Sequence, residues 1–156
     1  MRLNIKPKRR GTVLVEHAFV YPVLFFLMLG IILVSMAVFR YQQVAHLARE
    51  GSRWASVHGA QYATDNATTA ATASDVYDNS IKPVAAGMRL ENLTYSVAWG
   101  TGNKRYHTVS VADPVTGGTK IVYRANTVTV KVTYAWNTGF FGTIPVSSTS
   151  TVVMSY

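Results

Sequence analysis

Twenty-two consecutive residues, Ala18 to Phe39 (AFVYPVLFFLMLGIILVSMAVF), carry no charge. As a helix this run would extend about 33 Å at 1.5 Å per residue. That is enough to cross the roughly 30 Å hydrocarbon core of a bilayer with slight tilt. Once it is set aside, about a hundred residues remain, enough for one small domain with its own core. Glu16 stands at the lip of the run. Thr12, Val13, Leu14 and Val15 before it can continue the apolar helix, so its carboxylate falls at or inside the membrane boundary. Such a placement is costly, and a functional role is the default expectation for it.

The chain has 156 residues and a formal net charge of +8. Arg2, Lys6, Lys8, Arg9 and Arg10 supply five of the positive charges within the first ten residues, with no acid among them. The basic excess therefore belongs mainly to a segment beside an apolar helix. It is a positive-inside signal that places the N-terminus in the cytoplasm and the C-terminal domain across the inner membrane. A nucleic-acid-binding arm is the weaker reading, because no recognition-helix or zinc pattern accompanies the charges. Cysteine is absent, which excludes disulfide scaffolds, cysteine-based metal sites and thiol chemistry.

Three readings of the N-terminal segment compete. A secretory signal peptide has an apolar stretch of about 7–15 residues and a small-residue cleavage site. Ser35-Met36-Ala37 has suitable small residues, but the run is too long and the cut would fall within a continuing helix. A plain single-pass anchor accounts for the basic residues and the apolar length. It accounts for neither Glu16 nor Gly11, which stands directly between the arginines and the helix.

The third reading uses all of these features. The stretch RRGTVLVEHAFVYPVLFFLMLGII, followed by Arg40, Gln42, Gln43 and AREGSRWASV, resembles type IV pilin-like precursors. More narrowly, it resembles the TadE-like pseudopilins, minor components of Tad (Flp) pilus systems. The resemblance covers Arg9 to Val57 and departs from the family at His17, where members typically carry an aromatic residue; Phe19 and Tyr21 are nearby. It implies a disposable leader over residues 1–11 and an aspartyl prepilin peptidase that cuts the Gly11–Thr12 bond on the cytoplasmic side. Glycine suits that position, since a residue without a side chain lets a protease approach the backbone closely.

Glu16 would then be the fifth mature residue. A carboxylate in a low dielectric must be paired or neutralised. The resemblance implies that its partner is the freed Thr12 amine of a neighbouring subunit, a pairing that would set axial register as subunits assemble. The bland alternative is a glutamate that snorkels to the headgroups with no partner. The implied partners are the membrane, the peptidase, other pilins or pseudopilins and the Tad assembly platform. No nucleic acid, small-molecule substrate or cofactor is implied. Pro22 cannot donate to the carbonyl of Ala18 and is expected to kink or locally unwind the helix, which membrane helices tolerate where neighbours cover the gap.

Beyond Phe39 the pattern becomes amphipathic. Val44, Leu47, Ala48, Gly51 and Ala55 share one helical face, opposite polar residues that include Arg49, Glu50 and Arg53. One helix is therefore expected over 12–58, with residues 18–39 crossing the membrane and the second half packing on an extracytoplasmic domain over 59–156. A connector follows, in which Ser74 or Asp75 is expected to cap a short helix interrupted near Pro83. The period then changes to two. Leu93 to Trp99, Tyr106 to Ala112, Ile121 to Tyr123, Val128 to Trp136 and Ser147 to Tyr156 are the expected strands. The fold class is α+β: a long N-terminal transmembrane helix continuing into a small domain with a 4–5-stranded antiparallel sheet, as in pilins.

Little else suggests chemistry. His17, His46, His58 and His107 lack the spacing of a metal pair on one helix, so no metal site is expected. No nucleophile elbow, phosphate loop or dinucleotide fingerprint is present. His58 and Asp65 could meet only as a surface pair. Phe140 and Phe141, in a glycine-bounded loop, either tuck under the sheet or form a small subunit contact. The chain is thus expected to be non-enzymatic, with an unprocessed membrane-anchored envelope protein as the alternative to a pseudopilin.

Overall fold

A computed structural model describes residues 10–139 and 142–155, the side chains of Arg10 and Thr12 excepted. Arg2, Lys6, Lys8, Arg9, Phe140 and Phe141 lie outside the described residues. The first element, α1, is a single helix over Arg10–Val57. Its start is two residues before the expected Thr12, within the usual ambiguity of helix ends. The chain divides into two compact units between Phe39 and Arg40.

In the first unit the apolar side chains are turned outward. Phe19 is 75% exposed and Phe26 72%. No charged residue interrupts Ala18 to Phe39, and this stretch has the length and composition needed to cross a membrane. The Ser35 hydroxyl donates to the carbonyl of Ile31 at 2.8 Å, which satisfies the span's one aliphatic hydroxyl. The helix continues without interruption through Pro22. The backbone does not unwind there, so the expected local unwinding is not found.

The second unit is built on the other half of α1. Val44, Leu47, Ala48, Gly51, Ser52, Ala55 and Ser56 are all buried, a run at three- and four-residue spacing that forms one continuous stripe. Ser52 and Ser56 belong to it although they are polar. Their hydroxyls donate to the carbonyls of Arg49 and Arg53 at 2.9 and 2.8 Å, so neither enters the core unsatisfied.

A short helix α2 (Ala60–Asp65) follows. A second begins as α3 (Ala73–Val76), widens into a π-turn over Tyr77–Ile81 and ends as α4 (Lys82–Val84). The wide turn stands directly before Pro83, where a regular helix would press the proline ring against the carbonyl four residues back. The cap of α3 is Thr72, rather than Ser74 or Asp75. The Thr72 hydroxyl accepts from the Asp75 N–H, and the Asp75 carboxylate accepts from the Thr72 N–H at 2.8 Å. Asp75 is thus the third-position partner of a capping box.

Five antiparallel strands follow: β1 (Leu93–Trp99), β2 (Tyr106–Ala112), β3 (Thr119–Ala125), β4 (Thr127–Asn137) and β5 (Thr143–Val153). They form two sheets, one of order β1-β4-β5 and one β2-β3 hairpin. The last strand starts earlier than the expected Ser147 and ends before Tyr156. It includes Pro145, which an edge strand tolerates because its missing N–H can face away from the neighbour. Central β4 supplies the core: Val128, Val130, Val132, Tyr134 and Trp136 are buried.

One residue, Asn126, separates β3 from β4 and divides the strands between the two sheets. It is 2% exposed. Its Nδ2 donates to the carbonyl of Gly102 at 2.6 Å, and its Oδ1 accepts from the N–H groups of Thr101 and Thr127 at 3.1 and 3.0 Å. Its own N–H donates to Arg105, and its carbonyl accepts from Met154. These bonds fasten the β1–β2 turn and the end of β5 to the same corner. A Cβ at Gly100 would lie 2.7 Å from the Asn126 Oδ1, closer than a side chain can stand, so the turn needs glycine there.

Candidate functional site: the amino-terminal turns of the long helix

The residues singled out in the sequence lie within the first turns of α1. The Gly11–Thr12 bond falls in its opening turn. Gly11 is exposed, and a Cβ built on it meets nothing within 4 Å. Helix formation therefore gives no reason for glycine at this position and is disfavoured by it, by roughly 1 kcal/mol relative to alanine in a helix interior. Gly30 is likewise open to a Cβ. Gly51, in the other unit, is the contrast: its reason is packing.

Glu16 is exposed. Among the described residues it takes part in no ion pair: the pairs present are Lys82 with Asp78 and Arg89 with Glu91. The described residues thus supply no counter-charge to a carboxylate placed at the edge of an apolar span. In a low dielectric such a group is strongly driven toward a partner.

His17, where the pattern departs from an aromatic, is held locally. Its Nδ1 is 2.7 Å from the carbonyl of Val13, and its ring meets that of Tyr21 edge to face at 5.1 Å. The imidazole therefore fills the place of an aromatic ring one helical turn below Tyr21.

Of the other histidines, His46 is exposed and His58 is engaged in packing. The His58 ring stacks on Trp54 at 3.9 Å and meets Tyr62 at 4.7 Å. Its Nδ1 is 2.8 Å from the carbonyl of Trp54. Asp65 instead accepts from Gln61 at 3.0 Å, so the His58–Asp65 pair is not formed. Among the described residues no group of three His, Asp or Glu side chains could hold a metal ion. Two carboxyls are held below the ordinary carboxylate value of 3.8: Asp75 by the hydroxyl and then the N–H of Thr72, and Asp113 by the N–H of Val115 and then the hydroxyl of Thr116. Both stabilise turns.

Residues 11–53 match the family described as TadE-like protein. The match begins at the glycine of the expected cut, includes Glu16 and the whole apolar run, and ends at Arg53 within the buried stripe of α1. It coincides closely with the segment whose residues carry the resemblance. No curated protein and no solved structure matches the chain.

Proposed function

We propose that this chain, whose helix matches the TadE-like family over residues 11–53, is a TadE-like pseudopilin of a Tad pilus system. It is made as a precursor, cut between Gly11 and Thr12 by a prepilin peptidase, and passed into pilus assembly through α1. The observation that carries this reading is the composition of one helix end. An exposed glycine whose Cβ would meet nothing, an exposed glutamate without a counter-charge among the described residues and an outward-facing apolar run follow one another. A plain anchor needs only the last of these.

Cleavage would remove the five basic residues that hold the N-terminus on the cytoplasmic face. It would also create an α-amine four residues from Glu16. In the assembled state that amine on one subunit and Glu16 on another pair where water is absent, and the cost of leaving either alone sets the register. The other partners are pilins and the Tad assembly platform, and the sheet domain lies outside the inner membrane.

Intact-mass and N-terminal peptide spectrometry of the protein from a strain with an active Tad system tests the proposal. A chain beginning at Thr12 is expected. A chain that keeps Met1 through Gly11 in the presence of active peptidase leaves an unprocessed envelope anchor as the function.

A further inference from the structure

A cleft of about 530 Å³ opens in the second unit between the start of its helix, the Gly87–Asn92 segment and the far end of β4. Arg40, Arg89, Asn92, Tyr134 and Trp136 are among the residues that line it. No acidic residue is among its described lining residues. Arg40 is the first residue after the uncharged run, and its position is fixed. Its Nη1 donates to Gln43 at 2.8 Å and to the carbonyl of Gly87 at 3.2 Å, and its guanidinium lies 5.9 Å from the centre of the Tyr134 ring. Both hydrogen bonds use Nη1, which leaves the donors on Nε and Nη2 for another group. Arg89 is exposed and has only a 3.8 Å contact with the exposed Glu91, a pair of the kind that contributes little.

We infer that this cleft is a binding site for the phosphate headgroup of an anionic membrane phospholipid. Two guanidinium groups, with Glu91 only loosely held by one of them at 3.8 Å, select a phosphate, which they bind in bidentate fashion. The location selects a lipid as its source. Arg40 directly follows Phe39, the last residue of the apolar run, so a side chain that borders the cleft emerges at the level where headgroups lie. The exposed Tyr41 beside Arg40 is of the residue type that settles at this interface. The inference rests on residues 18–39 being embedded in a membrane and not on cleavage at Gly11.

The test is native mass spectrometry of the full chain in detergent, titrated separately with phosphatidylglycerol, phosphatidylcholine and inorganic phosphate. Phosphatidylglycerol is expected to be retained over phosphatidylcholine. Arg40→Gln with Arg89→Gln should weaken that retention about tenfold, and Arg49→Gln with Arg53→Gln, two cations outside the cleft, should leave it unchanged. Because Arg40 also holds Gly87, Arg89→Gln alone is measured beside the pair and should cost about threefold. Equal retention of the two lipids, an equal loss in the Arg49/Arg53 variant, or binding of inorganic phosphate with no lipid retained would each overturn the proposal. The mass of the chain's N-terminus, recorded in the same spectra, reports processing separately.

Discussion

A Cβ placed on Gly51 would stand 3.1 Å from Cγ1 of Val130 and 3.3 Å from Cγ1 of Ile81. The helix therefore lies against the centre of β4 with no room for a methyl group. Strand register completes the contact. Val130 is paired with Ser150 on β5, and the Ser150 hydroxyl meets that of Ser52 at 2.8 Å. Small residues on both elements allow the close approach, and the two hydroxyls satisfy each other inside it.

Gly51→Val should accordingly destabilise the sheet domain by about 2 kcal/mol, as overpacking of a filled core does. Denaturant unfolding of the detergent-solubilised chain, followed by Trp fluorescence, measures it. Stability equal to the unmodified chain would mean that helix and strand can separate without cost.

Asn126→Ala removes four hydrogen bonds from a buried corner and leaves the Gly102 carbonyl, the Thr101 hydroxyl and the Thr101 and Thr127 N–H groups without their partner. A loss of about 2–3 kcal/mol is expected. Amide exchange should be accelerated at Thr101 and Thr127 and at the paired positions of β2 and β3, more than in the middle of β4. Uniform acceleration throughout the domain would show that the corner is not a separate fastening.

Glu16→Ala should leave cleavage at Gly11 intact and abolish incorporation into pili, because the variant has lost a register contact and not the cut site. Immunoblotting of cell and sheared-pilus fractions separates the two effects. Normal piliation by this variant would remove the register role.

Asp75 and Asp113 give the domain a defined acid response. Each carboxyl is held below its ordinary value in the folded chain, so folding favours the ionised form. That contribution is fully present above the unfolded value near 3.8 and is lost as pH falls through the lower folded values. Melting temperature should therefore show a smaller acid-side decline in Asp75→Asn with Asp113→Asn than in the parent chain. Superimposable slopes below pH 4 would mean that neither carboxyl favours the folded state through its charge.

The local devices of the connector show where sequence patterns become ambiguous. Thr72, Ser74 and Asp75 are all competent caps, and only the backbone path decides that Thr72 takes the cap and Asp75 answers it from the third position. The last strand is expected only from Ser147, yet it begins at Thr143 and takes in Pro145. Its strand lies at the edge, which becomes visible only when the strand order is known.

The amino-acid sequence alone determined the elements that depend on local composition. The uncharged run, the buried stripe from Val44 to Ala55 and the alternation of β4 are periodic signals that need no partner to be recognised. Gly11, Glu16 and the family resemblance were legible for the same reason, since they lie in order along a single helix. Tertiary structure alone decided how five strands divide into two sheets, because Asn126 acts through bonds to Gly102, Thr101 and Met154, all distant in sequence. It also decided that Arg40 and Arg89 share a cleft. Residues 49 positions apart carry no common periodicity, and only the packing of α1 against the end of β4 brings their charges to one place.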